Sequence, residues 1–173
     1  MRALAPFVSH NGSMARLYSV MALSGIGINM ATLPMSACII QERETYNSLI
    51  RQGVISKQLD QWCLFYLQIL ERASKHVQNT LQQYLLLRKS VSEQMSKYID
   101  YALPHEALLK VLFDQPYIST QHVCKHLHCH RHTAYMYLDH LCKMGLLIPK
   151  KLGRETLYWH KAYFDLLISD PSS

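Results

Sequence analysis

The chain has no paired cysteine pattern. Its five cysteines, Cys38, Cys63, Cys124, Cys129 and Cys142, are odd in number and scattered, which excludes a disulfide framework and fits a reduced, cytoplasmic setting. Long uninterrupted apolar runs are also missing. The nearest to a membrane span, residues 17–40, is broken by Ser24, Gly25, Gly27, Asn29, Thr32, Pro34 and Ser36. It reads as two helices and a turn, and no membrane partner is expected. Charged residues are few, at 17%, against 49% apolar residues, which excludes a disordered chain and indicates a core-forming one. A length of 173 residues allows one domain or two small ones.

Glycine and proline are absent from residues 55–99, where apolar residues recur at intervals of three and four: Leu59, Trp62, Cys63, Tyr66, Leu67, Leu70, then Val77, Leu81, Tyr84 and Leu85. This period predicts helix. Forty-five residues is long for one globular helix, so two are expected, with a joint near residues 73–77 and Ser56 as a cap for the first. Pro104 ends the region.

A second module follows. HEALLKVLFDQP predicts an amphipathic helix with Leu108, Leu109, Leu112 and Phe113 on one side. STQHVCKHLHC predicts a short helix capped by Ser119 or Thr120, and RHTAYMYLDHLCKMG a third that stops at Gly145. LLIPKK and ETLYWH read as strands joined through Leu152, Gly153 and Arg154. Helix, helix, turn, helix, hairpin is the order of a winged helix. The division expected is a helical part over residues 1–102 and a winged-helix domain over 103–173.

At the other end stands PFVSHNGSMAR, from Pro6 to Arg16. It resembles the Fic family signature HPFx[DE]GNGRxxR, which lies on a loop running into a helix. Pro6, Phe7, Asn11, Gly12 and Arg16 match. Ala5 falls on the histidine, Ser9 on the acidic residue, His10 on the first glycine and Ser13 on the first arginine. The order downstream is also similar: an apolar helix, Leu33 and Pro34 restarting the chain, MSACIIQERETYNSLIRQG with its Tyr46 to Leu49 segment, the helix around Trp62, and the terminal winged helix.

The resemblance implies a mainly α fold, the C-terminal part of a Fic-type helical bundle followed by the winged helix, and a family activity of AMP transfer from ATP to protein with Mg²⁺. The residues that carry that chemistry are the ones replaced. The histidine acts as general base, a role worth about 10²- to 10⁴-fold, and Ala5 accepts no proton. The acidic residue holds Mg²⁺, for which uncharged Ser9 provides no anchor. The arginine grips phosphate bidentately, which Ser13 does not reproduce. No catalytic residue and no bound cofactor are therefore expected. Asn11, Gly12 and Arg16 are the candidates for residual, weak nucleotide binding at a helix start. Met1 immediately precedes the motif, so the expectation is an N-terminally truncated, catalytically degenerate Fic-family chain that acts through protein contacts or self-association.

The net charge of +6 favours an anionic partner, and a winged helix invites a DNA reading. Its candidate contacts are Arg131, His132 and Tyr135 on the third helix, with Lys150, Lys151 and Arg154 near the wing. With Asp139 opposing Arg131 and Lys143, the third helix is thinly charged for phosphate binding. Protein contact is the leading expectation, DNA-binding regulation the alternative, and nucleotidyl transfer together with a separate N-terminal half a further one. Metal binding is not expected. His122 and His126 are one helical turn apart and Cys129 or His130 lies near, yet no second ligand pair accompanies them.

Overall fold

A computed structural model of the protein describes residues 11–25, 33–56, 60–98, 104–153 and 155–169. Within these the chain is mainly helical, with one small antiparallel sheet. It divides into two compact units, residues 1–79 with 170–173, and residues 80–169. The boundary falls inside a helix.

In the first unit, α1 spans Asn11–Gly25, α2 Met35–Gln41 and α3 Arg43–Ser56. The MSACIIQERETYNSLIRQG stretch is thus two helices, because Glu42 leaves helical geometry at φ −114°, ψ 35°. The Glu42 carboxylate pairs with the Arg72 guanidinium. The core gathers Met35, Cys38 and Ile39 from α2, Tyr46 from α3, and Phe65, Ile69 and Ala73 from the next helix. Trp62 stacks on Tyr66 with ring centroids 5.2 Å apart and packs against this core.

That next helix, α4, runs unbroken over Asp60–Tyr98, so the joint expected near residues 73–77 does not exist. Ala73 is fully buried as an ordinary helical residue, and the Ser74 hydroxyl donates to the Leu70 carbonyl rather than breaking the helix. With no glycine or proline to stop it, the helix needs only buried contacts at both ends. Phe65, Ile69 and Ala73 supply these in the first unit, Val91 and Met95 in the second. Ser56, expected as a cap for the following helix, is the last residue of α3, its hydroxyl donating to Gln52 O. Residues 57–59 lie outside the described residues.

The second unit has the helix and strand order α5 (His105–Leu112), β1 (Tyr117–Ser119), α6 (Thr120–Leu127), α7 (Arg131–Lys143), β2 (Ile148–Leu152), β3 (Glu155–Trp159) and α8 (Lys161–Leu167), a winged-helix-like module. The sheet order is β1-β3-β2, all antiparallel, with Ile118 opposite Tyr158 and Ile148 opposite Trp159. β1 and α8 are additions to the expected order. The core joins Leu108, Leu109 and Leu112 of α5 to Ile118, Val123, Leu138, Leu141 and Tyr158, with Val91 and Met95 of α4.

Local chemistry sets the element ends. The Ser119 hydroxyl accepts from the His122 amide at 3.2 Å and caps α6. The turn from α6 to α7 is made by His128 in the left-handed region at φ 49°, a position that usually takes glycine or asparagine. Gly145, at φ 74°, ends the α7 region as the sequence predicts. α8 begins at His160, whose Nδ1 accepts from the Tyr163 amide at 3.1 Å.

Candidate functional site

The N-terminal motif falls largely outside the described residues. Ala5, Pro6, Phe7, Ser9 and His10 lie there, as do the side chains of Asn11, Gly12, Ser13 and Arg16. Of this stretch the structure describes the helical backbone of α1 from Asn11 onward.

The C-terminal module has a groove of ≈ 800 Å³ bounded by α6, the start of α7 and β3. Arg131, His132 and Tyr135 line it together with Thr120, Glu155 and Thr156. The spacing of 131, 132 and 135 puts these side chains on the outward face of α7, because Ala134, Leu138 and Leu141 are turned into the core. Tyr158 forms part of the floor. Burial pushes its phenol above the usual range, opposed by a hydrogen bond with Thr120. Arg131 thus shares its groove with the carboxylate of Glu155, a residue the sequence reading missed. Alternation along β3 groups Thr156 with Tyr158 and gave no signal for Glu155, which stands at the strand's first position.

Lys150 and Lys151 are exposed on β2, opposite Leu157 and Thr156, and do not line the groove. The Lys150 ammonium lies 5.7 Å from the Trp159 ring centroid, a cation–π distance. Arg154 lies outside the described residues. On α7 the Lys143 ammonium is 2.7 Å from Asp139, which raises its pKa through that contact. The same face carries Tyr135 and Met136, 51% and 49% exposed.

The histidine-rich stretch is arranged differently from the sequence expectation. His122 and His126 share one face of α6, ring centroids 4.3 Å apart. The third group beside them is Asp114, from the turn after α5, and not Cys129 or His130. His122 Nε2 lies 3.1 Å from Asp114 Oδ2. It is shielded from solvent. On the other side of the ring, Nδ1 is 3.0 Å from the Gln115 amide. Burial, then His126, pushes His122 below the ordinary imidazole range, with Asp114 opposing. Cys129 is instead a neighbour of Cys124, and burial followed by that thiol raises its pKa. All five cysteines are free thiols.

Among the described residues no helix is long and apolar enough to cross a membrane. Residues 87–163 match the C-terminal domain family of the SoFic-like protein adenylyltransferases. That match starts in the distal half of α4 and ends in α8, inside the second compact unit. The order of elements there is winged-helix-like, and over these residues the chain is similar to the C-terminal part of Fic-family adenylyltransferases.

Proposed function

We propose that the chain acts through protein contacts made by its winged-helix-like module, and that it does not transfer AMP by itself. One observation carries the first half. The outward face of α7, which a DNA-reading winged helix would line with cations and polar groups, presents half-exposed Tyr135 and Met136. Lys143 on that helix is paired with Asp139, and Arg131 shares its groove with Glu155. Aromatic and methionine side chains are enriched at the centres of protein interfaces. The second half rests on Ala5, Ser9 and Ser13, which stand where the family's base, metal ligand and phosphate clamp belong.

The test is a gel shift of the full chain with mixed-sequence duplexes at low and moderate salt, beside an assay with labelled ATP and Mg²⁺. Expected are no retarded band and no labelled polypeptide. A band that fades steeply with salt would overturn the protein-contact reading. It would favour the second reading, DNA regulation, which draws on exposed Arg131, His132, Lys150 and Lys151. Label on any protein would overturn the catalytic half. Residual nucleotide binding at Asn11, Gly12 and Arg16 with a separate N-terminal half is read by the same assay once that half is added.

A further inference from the structure

We propose that Asp114, His122 and His126 bind one divalent transition-metal ion of the zinc class. Two histidines at i and i+4 on one helical face and a carboxylate from a neighbouring turn make a three-ligand set, with all donor atoms within 4.8 Å of one another. In a tetrahedral zinc site with bonds of about 2 Å, donors stand roughly 3.3 Å apart. The His122 Nε2 to Asp114 Oδ2 separation, 3.1 Å, already has that length. The remaining adjustment falls to Asp114 and His126, both exposed and free to change rotamer.

Three further features point to an ion rather than a plain ion pair. His122 Nε2 is sealed from solvent with the Asp114 carboxylate oxygen 3.1 Å away, so that one ion could be held by both atoms at once. Gln115 supports the other ring nitrogen at 3.0 Å. The amide nitrogen faces Nδ1 here; with the amide turned over, an orientation equivalent in shape, its oxygen would accept from Nδ1–H and leave the Nε2 lone pair for an ion. That is the outer-shell support typical of metal-bound imidazole. The two histidines also stand on a helix held at one end by the Ser119 cap and at the other by the left-handed turn at His128, so their spacing is preset. Two imidazoles and one carboxylate suit zinc and its neighbours better than calcium or magnesium, which prefer all-oxygen shells. Exposure of Asp114 and His126 leaves room for water as a fourth ligand. The bound ion would staple the turn after α5 to α6, beside the groove but outside its lining.

The experiment titrates the tag-free full chain, kept reduced, with zinc by calorimetry and with cobalt by absorption. Expected is one ion per chain with micromolar affinity and the visible bands of tetrahedral cobalt bound by nitrogen and oxygen. His126→Ala, at an exposed position, and the isosteric Asp114→Asn should each weaken binding at least ~10-fold, while circular dichroism stays unchanged. A Cys124→Ser/Cys129→Ser double variant should bind as the natural chain does. Thiolate-to-cobalt charge transfer in the near ultraviolet, binding weaker than millimolar, or unchanged affinity in His126→Ala would overturn the proposal.

Discussion

The two units share α4 but enclose it to different degrees. In residues 80–169 the buried side chains come from helices, from two strands and from the loops between them, and they close around Leu112, Ile118 and Leu138. In the first unit the core draws on fewer elements, α2, α3 and α4, and fewer buried side chains, while exposed large apolar residues occur in both units, such as Ile55 at 83% and Leu86 at 68%. The family match lies wholly in the unit with the larger core, whereas the stretch that resembles the Fic signature stands near the other end of the chain.

The contrast is broken or sharpened first by truncating the cores. Leu138→Ala removes a side chain with no exposure and should destabilise the second unit by about 2–5 kcal/mol, read by urea denaturation. Ile69→Ala, equally buried, should fall at the low end of that range, because a less enclosed core relaxes more readily around a void. Equal losses would remove the distinction.

Acidification comes next. His160 is the one buried polar side chain among the described residues, 1% exposed, and burial holds its pKa below the ordinary imidazole value. The unfolded chain takes up the proton first, as pH falls past about 6.5, so the stability present above that pH is lost as pH drops further. Protonation also removes the Nδ1 lone pair that caps α8. Urea midpoints measured between pH 7.5 and 5.5 should fall for the natural chain and fall less for His160→Asn. A slope equal in both would show that His160 is not the titrating group.

Capping gives a smaller difference. Ser119→Ala should cost about 1 kcal/mol, the usual worth of such a cap. In the first unit α2 starts at Pro34 with no side-chain hydrogen bond, so Pro34→Ala should produce no comparable loss of a cap. The smallest effect belongs to the surface. Lys143→Ala removes an exposed i,i+4 partner of Asp139 and should leave the thermal midpoint unchanged; a clear drop would mean that the pair has a structural role.

The order of helices and hairpin in the second unit was legible because its signals are local. Ser119 caps, Gly145 and Gly153 take positive φ at 74° and 61°, and the apolar face of α5 repeats every turn. β1 was not legible. Three residues carry no period, and Tyr117 to Ser119 become a strand only by pairing with β3 some forty residues later. The continuity of α4 was misjudged for a related reason: length alone argued for a joint, while burial in two cores keeps the helix whole. Of the groove, Arg131, His132 and Tyr135 were visible as the outer face of a helix. Glu155 and Thr120 were not, since their approach depends on how the sheet and helices pack.

The sequence by itself determined the helical class and the winged-helix order, and it carries the resemblance to the Fic signature at Pro6, Phe7, Asn11, Gly12 and Arg16, because each is written in residue type and short-range spacing. Tertiary structure alone decided that Asp114 meets His122 and His126, that Glu155 faces the groove beside Arg131, and that one helix serves two cores. These depend on contacts between segments distant along the chain, where the free energy of burial, and not local preference, selects the neighbours.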